Sequence, residues 1–192
     1  MRCVITGHTR GIGKALYDYF VKQGWEVLGF SQSTGYDVRD RYTDILEVAK
    51  TADLFVNNLC VGECQLMFLD DLVGKIDKII CCGSIAGDFD QILDIEYSRV
   101  KRDLKNLCKK YSLGYRNKTK ILHLNISMAE DAVSTDYGLP YNDIVKAVDF
   151  WLDNPRINNI EFELILTPYT SEKIKKEFGV DTEQIYNLYS KP

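Results

Sequence analysis

Apolar and polar positions along the chain sort into short apolar runs separated by longer amphipathic stretches. The runs predict strands at Arg2–Thr6, Glu26–Phe30, Asp53–Asn57, Lys78–Cys82, Lys120–Ile126 and Glu161–Leu166, with a very short one at Tyr36–Val38. The amphipathic stretches predict helices at Gly11–Gln23, Arg41–Lys50, Gln65–Val73, Gln91–Leu113 and Tyr141–Asp153, and two more near Ser171–Phe178 and Thr182–Tyr189. In the first helix Ile12, Leu16, Tyr19 or Phe20, and Gln23 recur about one turn apart, a core-facing stripe. The first strand shows no apolar–polar alternation, as expected where both faces are covered. Strand and helix in alternation imply the α/β class: a doubly wound parallel sheet, helices on both faces, right-handed crossovers. No repeat, linker or change of composition divides the chain. Residues 1–192 read as one domain with a short helical tail over 170–192.

Composition narrows the classes. A chain of 192 residues can bury one sizeable core. Its 45% hydrophobic and 27% charged residues are ordinary for a soluble globular protein, and four prolines argue against long disorder. A net charge of −4 makes no electrostatic case for nucleic acid or an anionic membrane as partner. No apolar run approaches the ~18 residues of a spanning helix. Cys3–Ile5 is too short, and too close to a glycine turn, to be the core of a secretory signal. Of the six cysteines, Cys3, Cys81 and Cys82 sit in strand-like runs as small hydrophobes. Cys60 and Cys64 lack a second Cys/His pair, so neither zinc nor any other metal is expected. Free thiols point to a reducing compartment, the cytoplasm.

Residues 6–13 read TGHTRGIG, between the first strand and the first helix. In an open parallel sheet, ligands bind beyond the carboxyl ends of the strands. Glycine there lets the backbone approach an anion, and the helix N-terminus offers N–H groups and partial positive charge. Gly7, Gly11 and Gly13 therefore suggest the seat of a pyrophosphate. A dinucleotide site selective for NAD carries a carboxylate near the end of the second strand. Here that place reads Gly29-Phe30-Ser31-Gln32-Ser33. Nothing in it repels a 2′-phosphate; Arg10 can pair with one, and Ser31 and Ser33 can donate hydrogen bonds. NADP(H) is the expected cofactor. His8, inside the turn, is a candidate for touching phosphate, whereas His123, within a strand, reads as structural.

Further along stands CCGSIAGDFDQILDIEYSRVKRDL. Tyr97 and Lys101 are four apart and share a helix face. A phenol is a poor acid–base catalyst at neutral pH, and an ammonium beside it favours the phenolate. Ser84, 13 residues before Tyr97, follows a strand end, where its hydroxyl can meet a substrate oxygen. Lys101, Arg102, Lys105, Lys109 and Lys110 make a basic stretch of helix beside the apolar stripe of Leu104, Leu107, Cys108 and Tyr111, and most of these charges read as a solvated face.

The ordered set TGHTRGIG (6–13), YDVRD (36–40), VNNL (56–59), GSIAG (83–87) and YSRVK (97–101) resembles the short-chain dehydrogenase/reductase family over roughly residues 2 to 166. The resemblance implies a Rossmann-type sheet of order 3-2-1-4-5-6-7, counting Tyr36–Val38 as the third strand. It implies hydride transfer between nicotinamide and a small carbonyl or alcohol. By it Tyr97 is the general acid/base, Lys101 holds the ribose and lowers the phenol's pKa, and Ser84 orients the carbonyl. Gly7, Thr9, Arg10, Gly11, Ile12 and Gly13 line the pyrophosphate. Asp37 and Val38 flank the adenine and Asn57 and Asn58 lie by the adenosine ribose; Ser127 and the backbone at Met128 are the candidates to face the nicotinamide amide in place of the family's proline-glycine turn. A homodimer would form through the helices at Gln65–Val73 and Gln91–Leu113.

The chain departs from that pattern in four places. It is short for the family. Only 25 residues separate Asn58 from Ser84, and the asparagine expected in the intervening helix has no counterpart unless Gln65 substitutes. Asn125-Ile126-Ser127-Met128 stands where a proline-glycine turn is usual. The stretch 129–139, where a substrate lid would lie, is thin. These losses leave a second reading open: a nucleotide-binding sensor or scaffold that kept the seat and shed the substrate pocket.

Overall fold

Along strand β1 (Arg2–Thr6), Cys3, Val4 and Ile5 are all fully buried, yet they serve two different cores. Successive strand side chains point to opposite faces. Val4 therefore packs on one side of the sheet, and Cys3 and Ile5 on the other. The same division holds for β3 (Leu54–Asn57), where Phe55 faces one core and Leu54 and Val56 the other. It recurs in β4 (Lys78–Cys82) with Ile79 and Cys81 against Ile80 and Cys82. The continuous apolar runs follow from this covering of both faces.

The structure is a computed structural model that describes residues 1–89, 95–114, 118–127, 129, 139–155, 157 and 159–164. With β2 (Glu26–Phe30), β5 (Lys120–Ile126) and β6 (Asn159–Leu164), the strands form one parallel sheet of order β2-β1-β3-β4-β5-β6. One face is covered by α2 (Val38–Ala49), α3 (Cys64–Leu72) and α4 (Glu96–Ser112), through Ile45, Phe68, Leu72 and Leu104 among others. The other is covered by α1 (Gly11–Lys22) and α5 (Tyr141–Asp153), through Leu16, Phe20, Val148 and Trp151. Each fully buried side chain of this size contributes about 1.5–3 kcal/mol relative to exposure. The chain leaves β1 towards β2 on one side and returns to β3 on the other. This reversal opens a crevice at the carboxyl ends of β1 and β3.

The expected strand at Tyr36–Val38 does not form, so the sheet keeps the predicted order without its outermost member. Gly35, at φ +85°, closes a 3-10 turn over Gln32–Thr34. The Asp37 carboxylate then accepts from Arg39 N at 3.0 Å, which starts α2 three residues before the expected Arg41. Val38 goes into the core, and Arg41 marks a kink inside the helix. The sequence pattern read a capped helix start as a strand because Tyr-Asp-Val alternates over three residues. α4 begins at Glu96; residues 91–94 of its expected span, and the two tail helices at 171–189, lie outside the described residues. No described helix is long and apolar enough to cross a membrane.

Candidate functional site

The turn after β1 is built around missing side chains. Gly7 and Gly11 adopt φ of +71° and +58°, left-handed values that favour glycine. Gly13 is close-packed instead: a Cβ there would stand 2.1 Å from Gly7 O and 2.7 Å from Asn58 Nδ2. Gly7 N donates to Phe30 O at 2.7 Å, pinning the turn to the end of β2. Asn58 Nδ2 donates to Thr6 O and Gly7 O, each at 3.2 Å, tying the end of β3 to the same turn. Arg10 is the N-cap of α1 but caps nothing with its side chain, and no acidic residue stands in the first turn. The helix thus presents its N–H groups and its positive pole without an internal anion.

A cleft of about 630 Å³ opens over this turn. It is lined by the expected Gly7, Thr9, Arg10, Gly11, Ser31, Ser33 and Asn58, joined by Gln32, Leu59 and Cys60. The last three stand two or three residues past the ends of β2 and β3, which is the signal that would have found them. On the β2 side the hydroxyls form a chain, with Ser31 and Ser33 2.9 Å apart and Ser33 donating to Thr9 at 3.1 Å. An uncapped helix N-terminus, a bare glycine cradle, an arginine and clustered hydroxyls suit a pyrophosphate carrying further phosphate. The donor set fits a dinucleotide.

Other expected residues lie elsewhere. The His8 imidazole packs over Gly29, where a Cβ would stand 2.2 Å from the ring, and lies 5.4 Å from the Tyr17 ring. It is not among the residues that line the cleft, because glycine in β2 gives it room on the protein side. Ile12 and Gly13 do not line the cleft: Ile12 packs against one core, Gly13 lies under Gly7 O, and the Val38 side chain is in the other core. Asp37 is engaged by Arg39 and by Gln32 Nε2 at 3.1 Å, and hydrogen bonds from Arg39 hold its carboxyl down at about 2. Asn57 is fully buried, and its Nδ2 donates to Gln65 O at 2.8 Å. Its side chain braces the sheet end instead of facing the cleft.

The second part of the site lies at the end of β4. Ser84 stands two residues beyond that strand, and its Oγ accepts from Ala86 N at 3.2 Å. A hydroxyl can accept and donate at once, so its own proton is still available. Tyr97, in the first turn of α4, is 44% exposed. Lys101, one turn on, is 4% exposed, and its Nζ lies 5.5 Å from the Tyr97 ring centroid. The ammonium donates to Cys82 O at 2.7 Å and to Gln65 Oε1 at 2.8 Å. Gln65 therefore enters the site by holding the lysine directly. Ser127 follows β5 by one residue, at the same carboxyl edge.

The walls around Ser84 are close-fitted. His123 of β5 packs on Gly83, where a Cβ would stand 2.3 Å from Nε2. Gly87 lies against the backbone of α4 at Lys101 and Arg102. Asp88 accepts from Lys105 Nζ and from the buried Asn125 Nδ2, both at 2.8 Å, and so fastens the Ser84 segment to α4 and β5. Burial pushes the Cys82 thiol up to about 12, which makes it inert as a nucleophile at neutral pH. Among the described residues no group of three or more His, Cys, Asp or Glu side chains is placed to hold a metal.

No family model and no curated protein matches the chain. Solved structures do match. The chain is similar to serine dehydrogenase from Escherichia coli, with a TM-score of 0.62 and 18% identity over 88% of this chain and 100% of that one. It is similar to 3-ketoacyl-(acyl-carrier-protein) reductase from Brucella melitensis, complexed with NADH, at 0.63 and 15% over 83% and 96%. A short chain dehydrogenase from Burkholderia cenocepacia, in complex with NADP, matches at 0.65 and 12% over 100% and 98%. At such identities the likeness is one of architecture. The chain shares the fold of these dehydrogenase and reductase structures.

Proposed function

We propose that the protein is an NADP(H)-dependent oxidoreductase that moves a hydride between nicotinamide and a small carbonyl or alcohol. The observation that carries the reading is Lys101: a buried ammonium, held from behind, one helical turn from an exposed phenol and bonded to the strand end that leads to Ser84. Gly7, Gly11 and the first turn of α1 would hold the pyrophosphate. Arg10, Ser31, Ser33 and Thr9 would receive a 2′-phosphate, since among the described residues no carboxylate lines the cleft to repel it. The nicotinamide would supply or accept the hydride.

The chain's own residues then have distinct tasks. As negative charge builds on the carbonyl oxygen, Ser84 donates a hydrogen bond to it and Tyr97 donates the proton. Lys101 stabilises the negative charge left on the phenolic oxygen. Proton donation of this kind is worth about 10²–10⁴ in rate. In the opposite direction Tyr97 takes the proton from the alcohol.

The test is NADPH consumption against a panel of carbonyls, with cofactor binding measured in parallel. Tyr97→Phe should bind NADPH as the wild type does and lose at least about 100-fold in kcat. Full turnover by that variant refutes the role of Tyr97. Tight NADPH binding with no turnover on any carbonyl replaces the enzyme by a nucleotide-binding sensor.

A further inference from the structure

We infer that Gln65 is a positioning residue for Lys101, an inference that rests on the oxidoreductase reading for its catalytic consequence. Gln65 is the second residue of α3 and is fully buried. Its side chain makes three hydrogen bonds to three different elements. Nε2 donates to Asn57 O at the end of β3 at 2.7 Å and to Cys82 O at the end of β4 at 3.2 Å. Oε1 accepts from Lys101 Nζ of α4 at 2.8 Å.

The amide orientation is forced. A lysine ammonium can only donate, and two carbonyls can only accept, so the oxygen must face Lys101 and the nitrogen must face the strands. Only an amide of this length satisfies both sides. Lys101, for its part, is a cation with almost no solvent access, and among the described residues no carboxylate pairs with it. Burying a charge is costly unless it is hydrogen-bonded. Gln65 and the Cys82 carbonyl answer that cost from the protein side and take two of the three ammonium protons. The remaining proton is left for the side where Tyr97 stands. Gln65 thereby sets both the place and the direction of the charge that the phenol works against.

Gln65→Met keeps volume and removes all three side-chain hydrogen bonds. Gln65→Glu keeps an acceptor for Lys101 but turns its other oxygen towards two carbonyls. Competitive acetylation with acetic anhydride, read by mass spectrometry, reports the accessibility and state of Lys101 against the exposed Lys146, without substrate or cofactor. Relative to Lys146, Lys101 labelling should rise at least about threefold in Gln65→Met and stay near wild type in Gln65→Glu. With a carbonyl substrate, kcat should fall about 10- to 100-fold in Gln65→Met, KM for NADPH should move little, and Gln65→Glu should recover most of the loss. Equal labelling and equal kcat in all three proteins, or equal damage by both substitutions, overturns the inference; a merely structural amide gives the latter. Should Gln65→Met fail to fold, the Gln65→Met, Lys101→Met double variant decides: regained folding supports the coupling, and no regain overturns it. If the wild type turns over no carbonyl, the oxidoreductase reading and the catalytic consequence fall together, while the labelling still settles whether Gln65 holds Lys101.

Discussion

Gly13→Ala probes the seat without removing any group that could bind. The added Cβ would stand 2.1 Å from Gly7 O, 2.7 Å from Asn58 Nδ2 and 2.9 Å from Gly7 C. A carbon–oxygen contact settles near ~3.3 Å, so the turn and α1 must separate by about 1.2 Å. Overpacking of this kind costs about 1–3 kcal/mol, and backbone on the receiving side places Gly13→Ala near the top of that range. Alanine's better helix propensity returns about 1 kcal/mol. The net loss is about 2 kcal/mol, or about 4–8 °C in Tm for a chain of this length. The displaced carbonyl belongs to Gly7, so the cleft floor moves too, and the NADPH Kd should rise at least about tenfold, a cost of about 1.4 kcal/mol. Differential scanning fluorimetry and intrinsic fluorescence titration measure the two effects. Gly24→Ala is the control: Gly24 has φ +77° and nothing within 4 Å of a Cβ. It should lose about 1–2 kcal/mol through backbone strain alone and bind cofactor normally. A Gly13→Ala protein with wild-type Tm and wild-type Kd would refute the packing argument for the turn.

Arg10→Ala should weaken NADPH binding about tenfold or more and leave NADH binding nearly unchanged, because one charge-assisted bond to a phosphate is lost; equal losses for both cofactors would place Arg10 on the shared pyrophosphate. Gly83→Ala meets the His123 ring at 2.3 Å, and should lower Tm by several degrees, a loss that the paired Gly83→Ala, His123→Ala variant partly restores; additive losses would exclude direct packing. The Tyr111 phenol is held up at about 12, first by its hydrogen bond to Asp70 and then by burial. A raised pKa means that the neutral phenol favours the folded state, so the contribution is full below the unfolded value near ~10 and is lost as pH rises through about 12. Urea midpoints of wild type and Tyr111→Phe should therefore converge across that window, and a constant gap would remove the linkage.

Much of the architecture could be read before any coordinates. Strands β1, β3 and β4 carry unbroken apolar runs, Cys3–Ile5, Leu54–Val56 and Ile79–Cys82, because alternate residues enter two separate cores, and such runs are recognisable locally. Glycines at 7, 11 and 13 are legible because each meets a short-range demand: a left-handed φ at Gly7 and Gly11, and a missing Cβ at Gly13. The pairing of Tyr97 with Lys101 is set by helical periodicity alone. Other features could not be read this way. The helix cap at Asp37 imitated a strand, since three residues cannot distinguish two periods. His8 turned away from the cleft because Gly29, on another strand, leaves space for its ring.

Gln65 marks the boundary most clearly. Its sequence context, an amide near the start of an amphipathic helix, says nothing of an ammonium 36 residues later. Local spacing determines which residues share a face, a turn or a strand end, because those relations depend on a few consecutive dihedral angles. The partner of a buried donor depends on where the sheet brings β3, β4 and α4 together. Only the folded chain, in which a buried ammonium needs acceptors at close range, decides that Lys101 is held by Gln65 and the carbonyl of Cys82.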